Sequence, residues 1–138
     1  IPLQRIAYNA IPSVVYTNPE IACIGLTEKD LNEIHEGDFA PSMSTDEPFV
    51  PYEVHKLPMT FSGRFVAENE GEMGLCKVIV DKRNKTLIGV HMIGNPCSEF
   101  VAAASFAVRM GYTIAEFKQV VFPHPTVGEV LREVIMEA

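Results

Sequence analysis

Pro123-His124-Pro125, with Glu129 five residues beyond the imidazole, is the pattern in this 138-residue chain best suited to chemistry. Proline on both sides keeps the backbone extended. Pro125 disfavours the helical region for His124, and Pro123 has no amide hydrogen to offer. Thr126 is placed to cap a new helix, with Glu129 at its third position. Helical side chains lean back toward the N-terminus, so the Glu129 carboxylate is aimed at the loop that carries His124. A carboxylate on one ring nitrogen fixes the tautomer, raises the basicity of the ring and leaves the other nitrogen free to take a proton. That is the equipment of a general base. Thr126-x-x-Glu129 is equally a capping box, in which Glu129 satisfies backbone amides at a helix start. A carboxylate has two oxygens, so the two readings do not exclude each other.

The remaining reactive side chains carry weaker patterns. Cys23, Cys76 and Cys97 are far apart, odd in number and without C-x-x-C or zinc spacing. This points to three buried small apolar residues in a reducing compartment. Cys97, near a helix start, has a second reading as an acidified, nucleophilic thiol. His35, His55 and His91 share no metal-ligand spacing with one another or with His124, and no metal is expected. His35 falls at a solvated helix end, and His91 inside an apolar strand as a satisfied core residue.

Several elements must position that loop. Residues 13–17 and 21–26 read as strands, separated by Asn18-Pro19. Thr27 caps a short helix with Asp30 at the capping-box position, and Gly37 ends it. Residues 38–51, with three prolines, read as an irregular surface excursion. Tyr52 to Met59 is extended, with Pro58 marking an edge or an end, and a helical turn around Arg64 follows. Leu75–Asp81 and Thr86–Ile93 form the clearest hairpin, turning at Lys82-Arg83-Asn84-Lys85. Both arms are apolar at nearly every residue, which predicts a sheet covered on both faces. Ser98–Met110 is a helix closed by Gly111 and apolar around much of its circumference, so it is either packed inside or in contact with another subunit. Thr113-x-x-Glu116 opens a further short helix, and the last helix runs from about Thr126 to the end. An antiparallel sheet with segregated helices packed against it is an α+β fold.

Composition narrows the function classes. Apolar residues make up 47% and charged residues 21%, an ordinary globular balance for one domain spanning residues 1–138. A net charge of −7 argues against nucleic acid and anionic membranes, which call for a basic footprint. No apolar run approaches the length that spans a bilayer. The chain opens with Ile and lacks a charged-then-apolar leader, which points to a piece of a longer protein or a processed one.

Four stretches together carry a resemblance. They are Ile11-Pro-Ser-Val-Val-Tyr-Thr-Asn-Pro-Glu-Ile-Ala with Gly25-Leu-Thr-Glu after it, Gly89-Val-His-Met-Ile-Gly94, Ser98-Glu99 opening the long helix, and His124-Pro-Thr-x-x-Glu129. In order and spacing the chain resembles the C-terminal dimerisation domain of the FAD- and NAD(P)-dependent disulfide oxidoreductases, in their dihydrolipoamide dehydrogenase branch. The resemblance implies a homodimer with shared active sites. One subunit supplies FAD and a redox disulfide, and the other supplies the acid–base group His124 and its orienting partner Glu129. It also implies that His124 and Pro125 lie against the partner's flavin across a cis peptide bond. NAD is the implied electron acceptor, and the dithiol donor is the dihydrolipoyl group of an acyltransferase or an H-protein-type carrier. The implied location is the cytoplasm, or the mitochondrial matrix in a eukaryote.

Departures from the family are visible in the same residues. The chain contains no Cys-x4-Cys pair and no Gly-x-Gly-x-x-Gly loop, so alone it is expected to be inactive and to bind neither cofactor. Phe122 stands where that branch usually has His, and Gly128 where it usually has Ser, which keeps a glutathione-type reductase open. A freestanding dimerisation module without catalysis is the other alternative. A hydrolase built on His124 and Glu129 is disfavoured, because no Gly-rich oxyanion turn accompanies a Ser or Cys.

Overall fold

The computed structural model describes residues 6–36 and 50–138. Five antiparallel strands form one sheet in the order β1-β2-β5-β4-β3. They are β1 (Ser13–Val15), β2 (Ile21–Gly25), β3 (Tyr52–Leu57), β4 (Leu75–Asp81) and β5 (Leu87–Ile93). The helices are α1 (Glu28–Glu36), α2 (Gly63–Glu68), α3 (Cys97–Met110), α4 (Ile114–Phe117) and α5 (Glu129–Glu137). The expected hairpin is β4–β5 at the centre of the sheet, and the Pro58-bounded strand is its edge. Gly37 and the 38–51 excursion as far as Phe49 lie outside the described residues, as does the side chain of His35.

Local chemistry explains most element ends. Thr27 and Asp30 bond each other's backbone amides at 3.0 and 2.8 Å, closing the capping box of α1. Thr113 and Glu116 do the same for α4. Gly111, left-handed at φ 66°, ends α3. The β4–β5 register slips between Ile79 and Val80, so Ile88 is an extra residue in β5. This bulge lets Leu87 and Val90, three positions apart, point into the same core.

That core lies on one face of the sheet. Ala22, Ile24, Cys76, Val78, Val80 and Met92 meet α3, α4 and α5 there. Phe65, fully buried at the start of α2, closes one end, a burial that contributes about 1.5–3 kcal/mol. Among the described residues the other face is covered only in part, where the sequence pattern predicts cover on both faces. Leu31, Ile34, Val50 and Ile79 cluster under α1. Beyond them Ile21, Leu75 and Ile93 stay exposed among the described residues. The nine residues of α1 cover this face only around Ile79, and the continuous apolar pattern of the hairpin could not say how far the cover extends.

Candidate functional site

The loop that carries His124 is anchored at both ends. Before it, Phe117 of α4 is buried, and its ring lies 5.9 Å from that of Phe122. After it, α5 sinks Val130, Leu131, Val134 and Ile135 into the core, spaced to share one helix face. Between these anchors Pro123, His124 and Pro125 stand out from the surface. The His124-Pro125 peptide bond is cis.

His124 and Glu129 come together as their spacing predicts. Glu129 Oε1 lies 2.7 Å from His124 Nδ1. Its Oε2 accepts the Thr126 amide at 2.8 Å. One carboxylate therefore serves the loop backbone and the imidazole at once. The histidine side chain is 81% exposed and the glutamate 20%. With Nδ1 held by Glu129, Nε2 faces solvent and makes no bond among the described residues. Desolvation alone would raise the Glu129 carboxyl. The Thr126 amide, the His124 hydrogen bond and the nearby charges of His124 and Arg132 outweigh it and hold the group below the usual carboxylate range.

The other half of the expected capping box is not made. The Thr126 hydroxyl donates to the Pro123 carbonyl at 2.8 Å and does not accept from Glu129. Regular helix begins only at Glu129, after a tighter turn in which Val130 and Leu131 bond the carbonyls of Val127 and Gly128. Prolines at 123 and 125 leave the loop short of donors, so the Pro123 carbonyl takes the hydroxyl that would have capped the helix.

Two contacts to this loop were not visible in the sequence. Ser62 Oγ donates to the Thr126 carbonyl at 2.9 Å, and Arg64 Nη1 to the Pro125 carbonyl at 3.4 Å. Each crosses more than sixty residues. The only local signal was the helical turn around Arg64, which says nothing of where that turn docks. Beside the contacts lies a groove of about 310 Å³ bordered by Arg64, Phe100, Phe122 and Gly128.

The other candidates separate from this site. Cys97 is fully buried, and its Sγ donates to the Glu20 carbonyl at 3.4 Å. Burial, with the Glu20 charge adding to it, pushes its thiol up to about 11, which overturns the nucleophile reading. Cys76 is pushed to about 12 by burial. Cys23 is only half-buried, which corrects the expectation of three buried cysteines. It lies on the partly open face of the sheet, opposite His91 in register. His91 is half-buried there and donates Nε2–H to the Leu26 carbonyl at 2.9 Å; desolvation lowers its pKa and keeps it neutral. It is satisfied, as expected, although outside the main core. His55, on the edge strand, stands 3.6 Å from Glu53. Among the described residues no group of three His, Cys, Asp or Glu side chains is placed to hold a metal. No described helix is long and apolar enough to cross a membrane.

Comparison with known proteins agrees with this architecture. Residues 11–135 match the family described as the pyridine nucleotide-disulphide oxidoreductase, dimerisation domain. The chain is 36% identical over 134 residues to a mitochondrial dihydrolipoyl dehydrogenase of Caenorhabditis elegans, covering 97% of this chain and 24% of that one. It is 35% identical over 123 residues to the dihydrolipoyl dehydrogenase of Thermus scotoductus, covering 89% and 23%. The chain thus spans about a quarter of the length of the curated relatives it matches. Among solved structures, LpdA of Mycobacterium tuberculosis superposes with a TM-score of 0.78 at 21% identity, covering 98% of this chain and 26% of that one. The HOCl-induced flavoprotein disulfide reductase RclA of Escherichia coli gives 0.76 at 19%, covering 94% and 26%. The five-stranded sheet, its helices and the matched span together place this chain in the pyridine nucleotide-disulphide oxidoreductase family, as its dimerisation domain.

Proposed function

We propose that this chain is the dimerisation domain of a dihydrolipoyl dehydrogenase, and that it supplies His124 as general base to the active site of a second subunit. One observation carries the reading. An exposed imidazole is held at Nδ1 by a carboxylate 2.7 Å away, and its Nε2 faces outward. Such a ring is free to take a proton from a substrate brought to it. The substrate is a dihydrolipoyl dithiol on an acyltransferase or H-protein-type carrier. At neutral pH most of that dithiol is protonated, and only its thiolate attacks a disulfide efficiently. His124 Nε2 accepts the S–H proton as the sulfur attacks. Glu129 holds the donor N–H of the ring in place and balances the imidazolium.

His124 and Pro125 form a projecting tip and not a cradle, which suits contact with a flavin seated in the partner subunit. FAD, when bound there, supplies the acceptor for the electrons that the dithiol delivers to the redox disulfide, with NAD+ as their final acceptor. The 138 residues contain neither that disulfide nor a nucleotide loop, so dithiol turnover belongs to the longer enzyme. The outer face of α3 is the proposed contact with the second copy. It presents Phe106 and Met110, 60% and 55% exposed, beside Ala102 and Ala103. The proposed location is the cytoplasm or mitochondrial matrix.

In the full-length enzyme His124→Ala is expected to lower dithiol turnover about 10²–10⁴-fold while leaving flavin binding largely intact. Equal turnover in the two proteins would remove the base assignment. Sequencing the coding DNA upstream of Ile1 tests the wider reading. A Gly-rich nucleotide loop with a Cys-x4-Cys pair supports it, and a start codon immediately before Ile1 overturns it.

A further inference from the structure

The loop of His124 is held on one side by α5 and on the other by α2. On the α5 side Glu129 takes the ring and the Thr126 amide. On the α2 side Ser62 and Arg64 take the carbonyls of Thr126 and Pro125, the two that follow His124. We propose that Ser62 and Arg64 are positioning residues for the base, a clamp that fixes where His124 Nε2 stands relative to the second subunit. The proposal rests on the assignment of His124 as that base.

Ser62 is built for the task. It is 3% exposed, so water does not compete for its hydroxyl. Its Oγ accepts the Phe65 amide at 3.2 Å as the cap of α2, and its single O–H is committed to Thr126. Its own amide bonds the Met59 carbonyl at 2.9 Å, and Phe65 one turn on is fully buried. The hydroxyl therefore has little freedom to follow a moving loop. Arg64 is half exposed, but Glu68 one turn along binds its Nε at 2.7 Å and turns the guanidinium so that Nη1 meets Pro125. The loop needs outside donors, because neither Pro123 nor Pro125 has an amide hydrogen with which to close a turn. With Ser62 and Glu129 both engaged, the carbonyl and the amide of Thr126 are each tied to a different helix. The tip then moves with α2 and α5 as one body, and small errors in placing a catalytic group cost large factors in rate.

A residue that acts through His124 loses its effect once the imidazole is gone, whereas a residue that only supports the fold does not. The test is a set of double-mutant cycles in the full-length enzyme, with Ser62→Ala, Ser62→Thr and Arg64→Ala each made with and without His124→Ala. Turnover of dihydrolipoamide and flavin content are measured for each. Ser62→Ala is expected to lower kcat about tenfold, Ser62→Thr to restore most of that loss, and Arg64→Ala to cost less than Ser62→Ala. In the His124→Ala background each is expected to change kcat less than about twofold. Equal losses in both backgrounds would overturn the clamp. So would full activity of Ser62→Ala and Arg64→Ala in an enzyme that His124→Ala disables. If Ser62→Ala does not fold, the Arg64 cycle decides alone, since that side chain is at the surface. Wild-type turnover in His124→Ala itself overturns the base assignment, an outcome distinct from both.

Discussion

Glu129 links the stability of the site to its chemistry, because its two oxygens serve different partners. Its carboxyl is held below the ordinary carboxylate value, as are those of Glu28, Glu53, Asp81 and Glu116. A carboxyl with a depressed pKa binds protons more readily when unfolded. The stability it contributes is present above the unfolded value and lost as pH falls through the folded one. Thermal melts are therefore expected to drop as pH falls below about 4.5, and to drop less steeply in Glu129→Gln. Superimposable acid limbs for the two proteins would show that Glu129 has no share in it. In the full-length enzyme Glu129→Gln is expected to harm dithiol turnover less than His124→Ala, since the geometry survives while the counter-charge goes. The cysteines differ at the same scale. Cys76 and Cys97 are buried with thiols pushed up to about 12 and about 11, whereas Cys23 is partly accessible. Iodoacetamide at neutral pH, read by mass spectrometry, is expected to label Cys23 alone in the folded chain and all three once unfolded. Early labelling of Cys97 would contradict its burial.

At the scale of elements, the sheet depends on close backbone approach where β2 ends. Gly25, at φ +76°, has no room for a Cβ, which would meet the Ile88 carbonyl. That carbonyl accepts the Leu26 amide at 2.9 Å and sits at the bulge of β5. Gly25→Ala is thus strained in conformation and in space. It is expected to cost about 3 kcal/mol or more in a urea titration. A change within about 0.5 kcal/mol would mean that the two strands can separate without penalty. The faces of α3 divide just as sharply. Cys97, Val101, Ala104 and Ala107 are buried, and Phe106 and Met110 point away from them. The sequence left open whether this helix was interior or at a contact; one face serves the core and the other is offered outward.

At the scale of the whole molecule, the proposed dimer turns that outward face into an interface. Phe106→Glu places a charge at its centre and is expected to raise the dimer dissociation constant about tenfold or more, measured by sedimentation. An unchanged constant would move the interface elsewhere. The sequence by itself determined the features that depend on near neighbours along the chain. These include the central hairpin, the capping boxes at Thr27 and Thr113, the Gly111 stop and the pairing of His124 with Glu129. Each rests on partners within a few residues, whose geometry dihedral preferences largely fix. Only the tertiary structure decided the extent of cover on the second sheet face, the burial that silences Cys97, and the docking of Ser62 and Arg64 on the loop. Those depend on which distant donor reaches a carbonyl first and on how much surface a short helix can hide. No local pattern encodes either, because both are settled by packing between segments far apart in the chain.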